Sequence, residues 1–180
     1  MSRVLVALSL VLVGIRADAV ELYGDFPDRI NPDERYVIYS HGFIVEGTDP
    51  RPEHPQFGTY EFPAIKQALF EDGGFNLIAH HRHADTDIGE YVDTLASWVE
   101  KLLEGGVPPS RITLIGFSRG ALLTAYASGR YEQAGLNTAL MAICSDGNIR
   151  ISTDRSHGAF FKPLPEWVQP LKEWISETNR

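Results

Sequence analysis

Short apolar runs alternate with amphipathic stretches along this chain. Residues 36–40 (Tyr36, Val37, Ile38, Tyr39, Ser40) are mostly β-branched or aromatic. Charged residues 33–35 precede them and Gly42 follows, which predicts a strand. Residues 46–60 are rich in Pro and Gly and read as a loop. Pro63 suits the first turn of a helix reaching about Glu71, with Gly73 and Gly74 stopping it. Residues 75–80 predict a second strand. Ile88, Tyr91, Val92, Leu95, Val99, Leu102 and Leu103 share one helical face. Asp87 suits the N-cap of that helix, with Glu90 three residues on, and Gly105 and Gly106 close it. A third strand over 111–116, a short helix over 121–129 and a fourth strand over 137–144 follow. A last helix from about Pro165 to Glu177 sets Trp167, Leu171, Trp174 and Ile175 on one face, and Pro170 is expected to bend it or delay its start. Strand–helix alternation of this kind predicts an α/β fold: a mostly parallel, doubly wound sheet with right-handed crossovers. In such sheets ligands bind at the carboxyl ends of the strands, so the residues just after each strand carry the functional information.

Composition narrows the classes. Hydrophobic residues make up 43% of the 180 residues and charged residues 22%, which rules out a disordered or collagen-like chain and fits one domain. The net charge is −8, from 16 Lys and Arg against 24 Asp and Glu. A chain so acidic lacks the basic face that a nucleic acid or an anionic membrane requires. Cys144 is the single cysteine, so no intrachain disulfide or cysteine zinc site forms, and it reads as a small buried hydrophobe. The first residues have a different character. Arg3, an apolar run over 4–15, and Ala17, Asp18 and Ala19 form the pattern of a secretory signal peptide. The run is too short for a membrane span. The expected organisation is a signal peptide over 1–19 and one domain over 20–180, exported to the periplasm or secreted, with no membrane attachment after cleavage.

The third strand leads into Gly116, Phe117, Ser118, Arg119 and Gly120. This is G-x-S-x-G between a predicted strand and a predicted helix, the setting of a nucleophile elbow. The turn is so tight that the serine sits at its apex, and the glycines keep Cβ atoms out of the gap between strand and helix. The following helix aims its positive end and free N–H groups at Ser118. After the first predicted strand comes Ser40, His41, Gly42 and Phe43. An N–H from Gly42 or Phe43 is placed to join the N–H of Arg119 in binding a tetrahedral oxyanion. His41 belongs to that loop and reads as structural.

On these segments, with the loop over 46–52 and the stretch from His157 and Gly158 to Trp167, the chain resembles the α/β-hydrolases, in particular exported members of unassigned activity. The resemblance covers nearly all of residues 20–180. It implies hydrolysis of an ester, thioester, amide or related bond through an acyl-serine, without a cofactor or metal. It also implies the chain order serine, acid, histidine. His157 is the one histidine after Ser118 and is the expected general base. The acid is Asp146 or Asp154, with Asp146 preferred because it follows a strand end. The C-terminal third departs from the pattern: one strand–helix unit is missing between Cys144 and His157, where residues 149–151 suit a single short strand. Two readings follow. The first is a serine hydrolase acting on a small ester-like substrate. The second is a catalytically silent α/β-hydrolase fold used for binding. His80, His81 and His83 end the second strand and are expected to line the cleft or pack beneath a loop, not to hold a metal. Asp49, Arg51, Glu53 and His54 read as a solvated loop near the mouth of the site.

Overall fold

The structure is a computed structural model that describes residues 20–142 and 156–178. Among these residues the strands are β1 (Leu22–Tyr23), β2 (Tyr36–Ser40), β3 (Glu53–His54), β4 (Gly58–Thr59), β5 (Asn76–Ile78), β6 (Ile112–Phe117) and β7 (Asn137–Met141). The α-helices are α1 (Phe62–Phe70), α2 (Ile88–Glu104), α3 (Arg119–Gly129) and α4 (Pro165–Thr178). Five strands make one wholly parallel sheet in the order β1-β5-β2-β6-β7. β3 and β4 form a separate antiparallel hairpin.

Every residue of β2 and β6 is buried, as expected for parallel strands covered on both faces. The side chains of β2 divide by alternation. Val37 and Tyr39 pack with Ile65 and Leu69 of α1 and with Trp167, Leu171 and Ile175 of α4. Tyr36 and Ile38 pack with Leu95, Val99 and Leu102 of α2 and with Leu123 and Ala127 of α3. Two helices therefore cover each face, and the sheet is doubly wound. Each fully buried Leu, Ile or Val contributes about 1.5–3 kcal/mol, so these two layers supply most of the driving force. The long helix α2 is capped as its sequence predicts: the Glu90 N–H donates to Asp87 Oδ1 at 3.0 Å, and Gly106 leaves the helix with φ of 86°.

From β2 the chain crosses through α1 to β5 on one side, then returns through α2 to β6 on the other. The carboxyl ends of β2 and β6 thus flank the switch point where a crevice opens in such sheets. Ser40 pairs with Gly116 there.

Several elements depart from the expected boundaries. The loop over 46–60 contains the β3–β4 hairpin. Helix α3 begins at Arg119, directly after the serine. Helix α4 starts at Pro165 and runs through Pro170 without delay. Its start is held by the Trp167 and Val168 N–H groups on Leu164 O, and buried Trp167, Val168, Leu171 and Ile175 grip it on both sides of the proline. The expected end of the fourth strand at Cys144 and the short strand over 149–151 lie outside the described residues. Residues 143–155 separate β7 from a 3-10 helix at Ser156–Phe161.

Candidate active site

Ser118 occupies the apex between β6 and α3 with φ of 53° and ψ of −120°, a conformation that L-residues rarely adopt. Holding a non-glycine residue there costs about 1–3 kcal/mol and persists only where the surroundings enforce it. The surroundings are on both sides. The Ser118 N–H donates to Met141 O of β7 at 3.0 Å, and the Ser118 carbonyl accepts from Ala121 and Leu122 in the first turn of α3. A Cβ on Gly116 would lie 2.4 Å from Gly120 O, and one on Gly120 would lie 2.0 Å from Ser40 O. Only glycine at both positions lets α3 approach the ends of β6 and β2 so closely.

The loop after β2 enters a 3-10 helix at Phe43–Val45. Gly42 stands beside the elbow: its missing Cβ would meet the Phe117 ring at 2.9 Å and Ser118 Cβ at 3.7 Å. The Phe43 and Arg119 N–H groups each open a helical turn, so neither has a partner within its own helix. Nearby, the Tyr39 and Tyr60 hydroxyls share a buried hydrogen bond of 2.9 Å.

His41 is fully buried and both ring nitrogens are occupied. The Arg82 N–H donates to His41 Nε2 at 3.0 Å, so the proton sits on Nδ1, which donates to Gly42 O at 2.8 Å. Burial, followed by the nearby Arg82 charge, pushes its pKa well below the ordinary histidine value. His41 is therefore a neutral structural group, as its place in the loop predicts.

A charge cluster lies beneath. The Glu46 carboxylate, almost wholly buried, meets Arg82 Nε at 3.0 Å and Arg119 Nε at 3.2 Å. Arg119 also donates to Thr86 O at 2.7 Å and lies 5.0 Å from the centre of the Phe43 ring, which is 61% exposed. Two guanidiniums share this one carboxylate, which leaves the cluster with one excess positive charge. Sequence reasoning missed Glu46 and Arg82. The one local signal was an arginine among histidines directly after an apolar strand.

His157 lies on the 3-10 helix before α4, half-buried, with its ring 4.9 Å from that of Phe117 and 6.1 Å from that of Phe57. It is thus brought against the residue that precedes Ser118. Phe57, in the β3–β4 hairpin, seats on Gly158, where a Cβ would lie 2.9 Å from its ring. Burial, then the charge of His54, lowers the His157 pKa below the ordinary value. Asp146 and Asp154 lie outside the described residues. The other histidines diverge: His81 Nε2 contacts Val45 O at 2.6 Å, while His80 faces Asp25 at 4.0 Å. Among the described residues no three His, Cys, Asp or Glu side chains converge as metal ligands. Arg51 pairs with Glu61 at 2.9 Å, and His54 stacks on Phe57. Among the described residues no helix is long and apolar enough to cross a membrane.

The model of the phospholipase/carboxylesterase family matches residues 63–152, half of the chain. The chain belongs to that family of α/β-hydrolases. The match takes in the elbow, β7 and Asp146. No curated protein matches the chain. Among solved structures it is similar to the mature form of a Bacillus licheniformis lipase, at 11% identity and a TM-score of 0.39, over 87% of this chain. The chain spans 66% of that lipase's length.

Proposed function

We propose that this chain is a serine hydrolase that cleaves a carboxylic ester or related acyl bond of a small molecule. One observation carries the reading: Ser118 is held at positive φ between β6 and α3 by a glycine pair that tolerates no Cβ. A fold bears such strain where the geometry is used. In the reaction, Ser118 Oγ attacks the carbonyl carbon while His157 takes its proton. The imidazolium returns that proton to the leaving alcohol, leaving an acyl-serine. Water, deprotonated by His157, then attacks the acyl carbon; the bond to Ser118 Oγ breaks, the imidazolium returns the proton to Oγ, and the acid leaves. The Phe43 and Arg119 N–H groups, the positive end of α3 and the excess charge of the Arg82–Glu46–Arg119 cluster stabilise the oxyanion. A lowered His157 pKa favours the neutral ring that the first step needs. We assign the orienting acid to Asp146. No cofactor enters this scheme.

The test is labelling with a serine-directed fluorophosphonate. Wild-type protein takes one label on Ser118 and Ser118→Ala takes none. Folded wild-type protein that stays unlabelled would replace this reading with the silent binding fold. We further propose that the chain is exported with cleavage after Ala19. Intact mass of the exported product should then begin at Val20, and retention of residues 1–15 would refute it.

A further inference from the structure

We propose that Arg82 is a positioning residue that holds the oxyanion loop in its working shape, an assignment that rests on the serine-hydrolase reading. Its side chain is fully buried, an uncommon place for an arginine, in the segment that follows β5. From there it grips both ends of the loop over 41–47. At the near end its main-chain N–H donates to His41 Nε2 at 3.0 Å and its guanidinium Nη2 donates to His41 O. At the far end its Nε meets Glu46 Oε1 at 3.0 Å, and its carbonyl accepts the Gly47 N–H at 3.0 Å. The Tyr91 ring, 5.2 Å from the guanidinium carbon, backs the group from α2.

The grip reaches the reacting atoms in two steps. The Arg82 N–H consumes the lone pair of His41 Nε2, so Nδ1 carries the proton and donates to Gly42 O. The Gly42 carbonyl and the Phe43 N–H belong to one planar trans peptide, so fixing the carbonyl fixes the N–H on the opposite side. The guanidinium separately orients Glu46, which meets Arg119, the residue that supplies the second N–H. The Arg82 main chain thus fixes the His41 ring and the Phe43 N–H, while its guanidinium holds the loop itself at His41 O and, through Glu46, the Arg119 donor. Lysine reproduces the charge and none of the planar fork.

Losing one oxyanion donor costs about 10²–10³ in kcat. Arg82→Met should therefore lower kcat on a p-nitrophenyl ester by about 10²-fold with little change in KM, and slow fluorophosphonate labelling of Ser118 in parallel. Arg82→Lys should recover only part of the loss. Arg82→Met alone leaves a buried carboxylate short of a partner and weakens the fold. The Arg82→Met, Glu46→Gln double variant removes that penalty and separates the roles. A recovered Tm with kcat still low supports positioning. Recovery of kcat together with Tm makes Arg82 merely structural and overturns the proposal, as does a folded Arg82→Met with wild-type kcat. In both of those cases a wild type that labels and turns over leaves the hydrolase reading standing. A wild type that neither labels nor hydrolyses overturns both.

Discussion

Gly120→Ala offers the most direct test of the elbow. Its added Cβ would lie 2.0 Å from Ser40 O and 2.5 Å from His41 O. Cβ contacts below 3.0 Å essentially do not occur, so relief demands at least 3.0 − 2.0 = 1.0 Å of separation. Both obstructing atoms are backbone, and Ser40 is held in register by β6. The start of α3 must therefore retreat, taking Ser118 and the Arg119 N–H away from the Phe43 loop. Overpacking of this kind costs about 1–3 kcal/mol. For a domain of this size that is about 2–12 °C in Tm. A displacement of about 1 Å at a catalytic constellation costs about 10²-fold in rate. The assay is a thermal melt, ester hydrolysis and fluorophosphonate labelling, beside Gly129→Ala, where a Cβ meets nothing within 4 Å. Gly120→Ala with the Tm and kcat of its control would refute the claim that this contact sets the geometry of Ser118.

The strain at Ser118 is testable without turnover. Ser118→Gly should melt above Ser118→Ala, by about 1 kcal/mol once the extra freedom of unfolded glycine is deducted. Equal melting points would mean that φ of 53° carries no cost here. Buried His41 must remain neutral in the fold, with its pKa below that of the unfolded chain. The unfolded state then binds more protons below pH ~6.5, so stability rises with pH, and is lost as pH falls through that value by up to about 1.4 kcal/mol per pH unit. Denaturant titrations from pH 7.5 downward should show that slope, and His41→Gln should flatten it; an unchanged slope would move the effect to other groups. Asp146→Asn should remove most turnover, by as much as about 10⁴ in kcat, while leaving the melt intact. Full turnover in that variant would transfer the role to Asp154.

What was legible in the sequence was what short range determines. β2 and β6 announce themselves because parallel strands buried on both faces must be continuously apolar. Helix α2 shows its face and both its caps in order along the chain. The elbow is legible for the same reason: its strain and its two glycines sit within five residues. β1 has two residues, and it is a strand only because Leu22 and Tyr23 pair with Leu77 and Ile78 of β5. Pro170 reads locally as a helix breaker, yet buried side chains on both sides of it keep α4 continuous. Arg82 is the clearest case. In the sequence it is one basic residue in a polar stretch. It becomes a fully buried cation only when a loop more than thirty-five positions earlier folds over it and supplies Glu46. A motif names the atoms that react, because these share a turn of chain. The groups that hold those atoms in register come from other strands, and their side chains carry no local mark. In this chain the motif leads to Ser118, whereas the support for the Phe43 N–H comes from the segment after β5, which no motif covers.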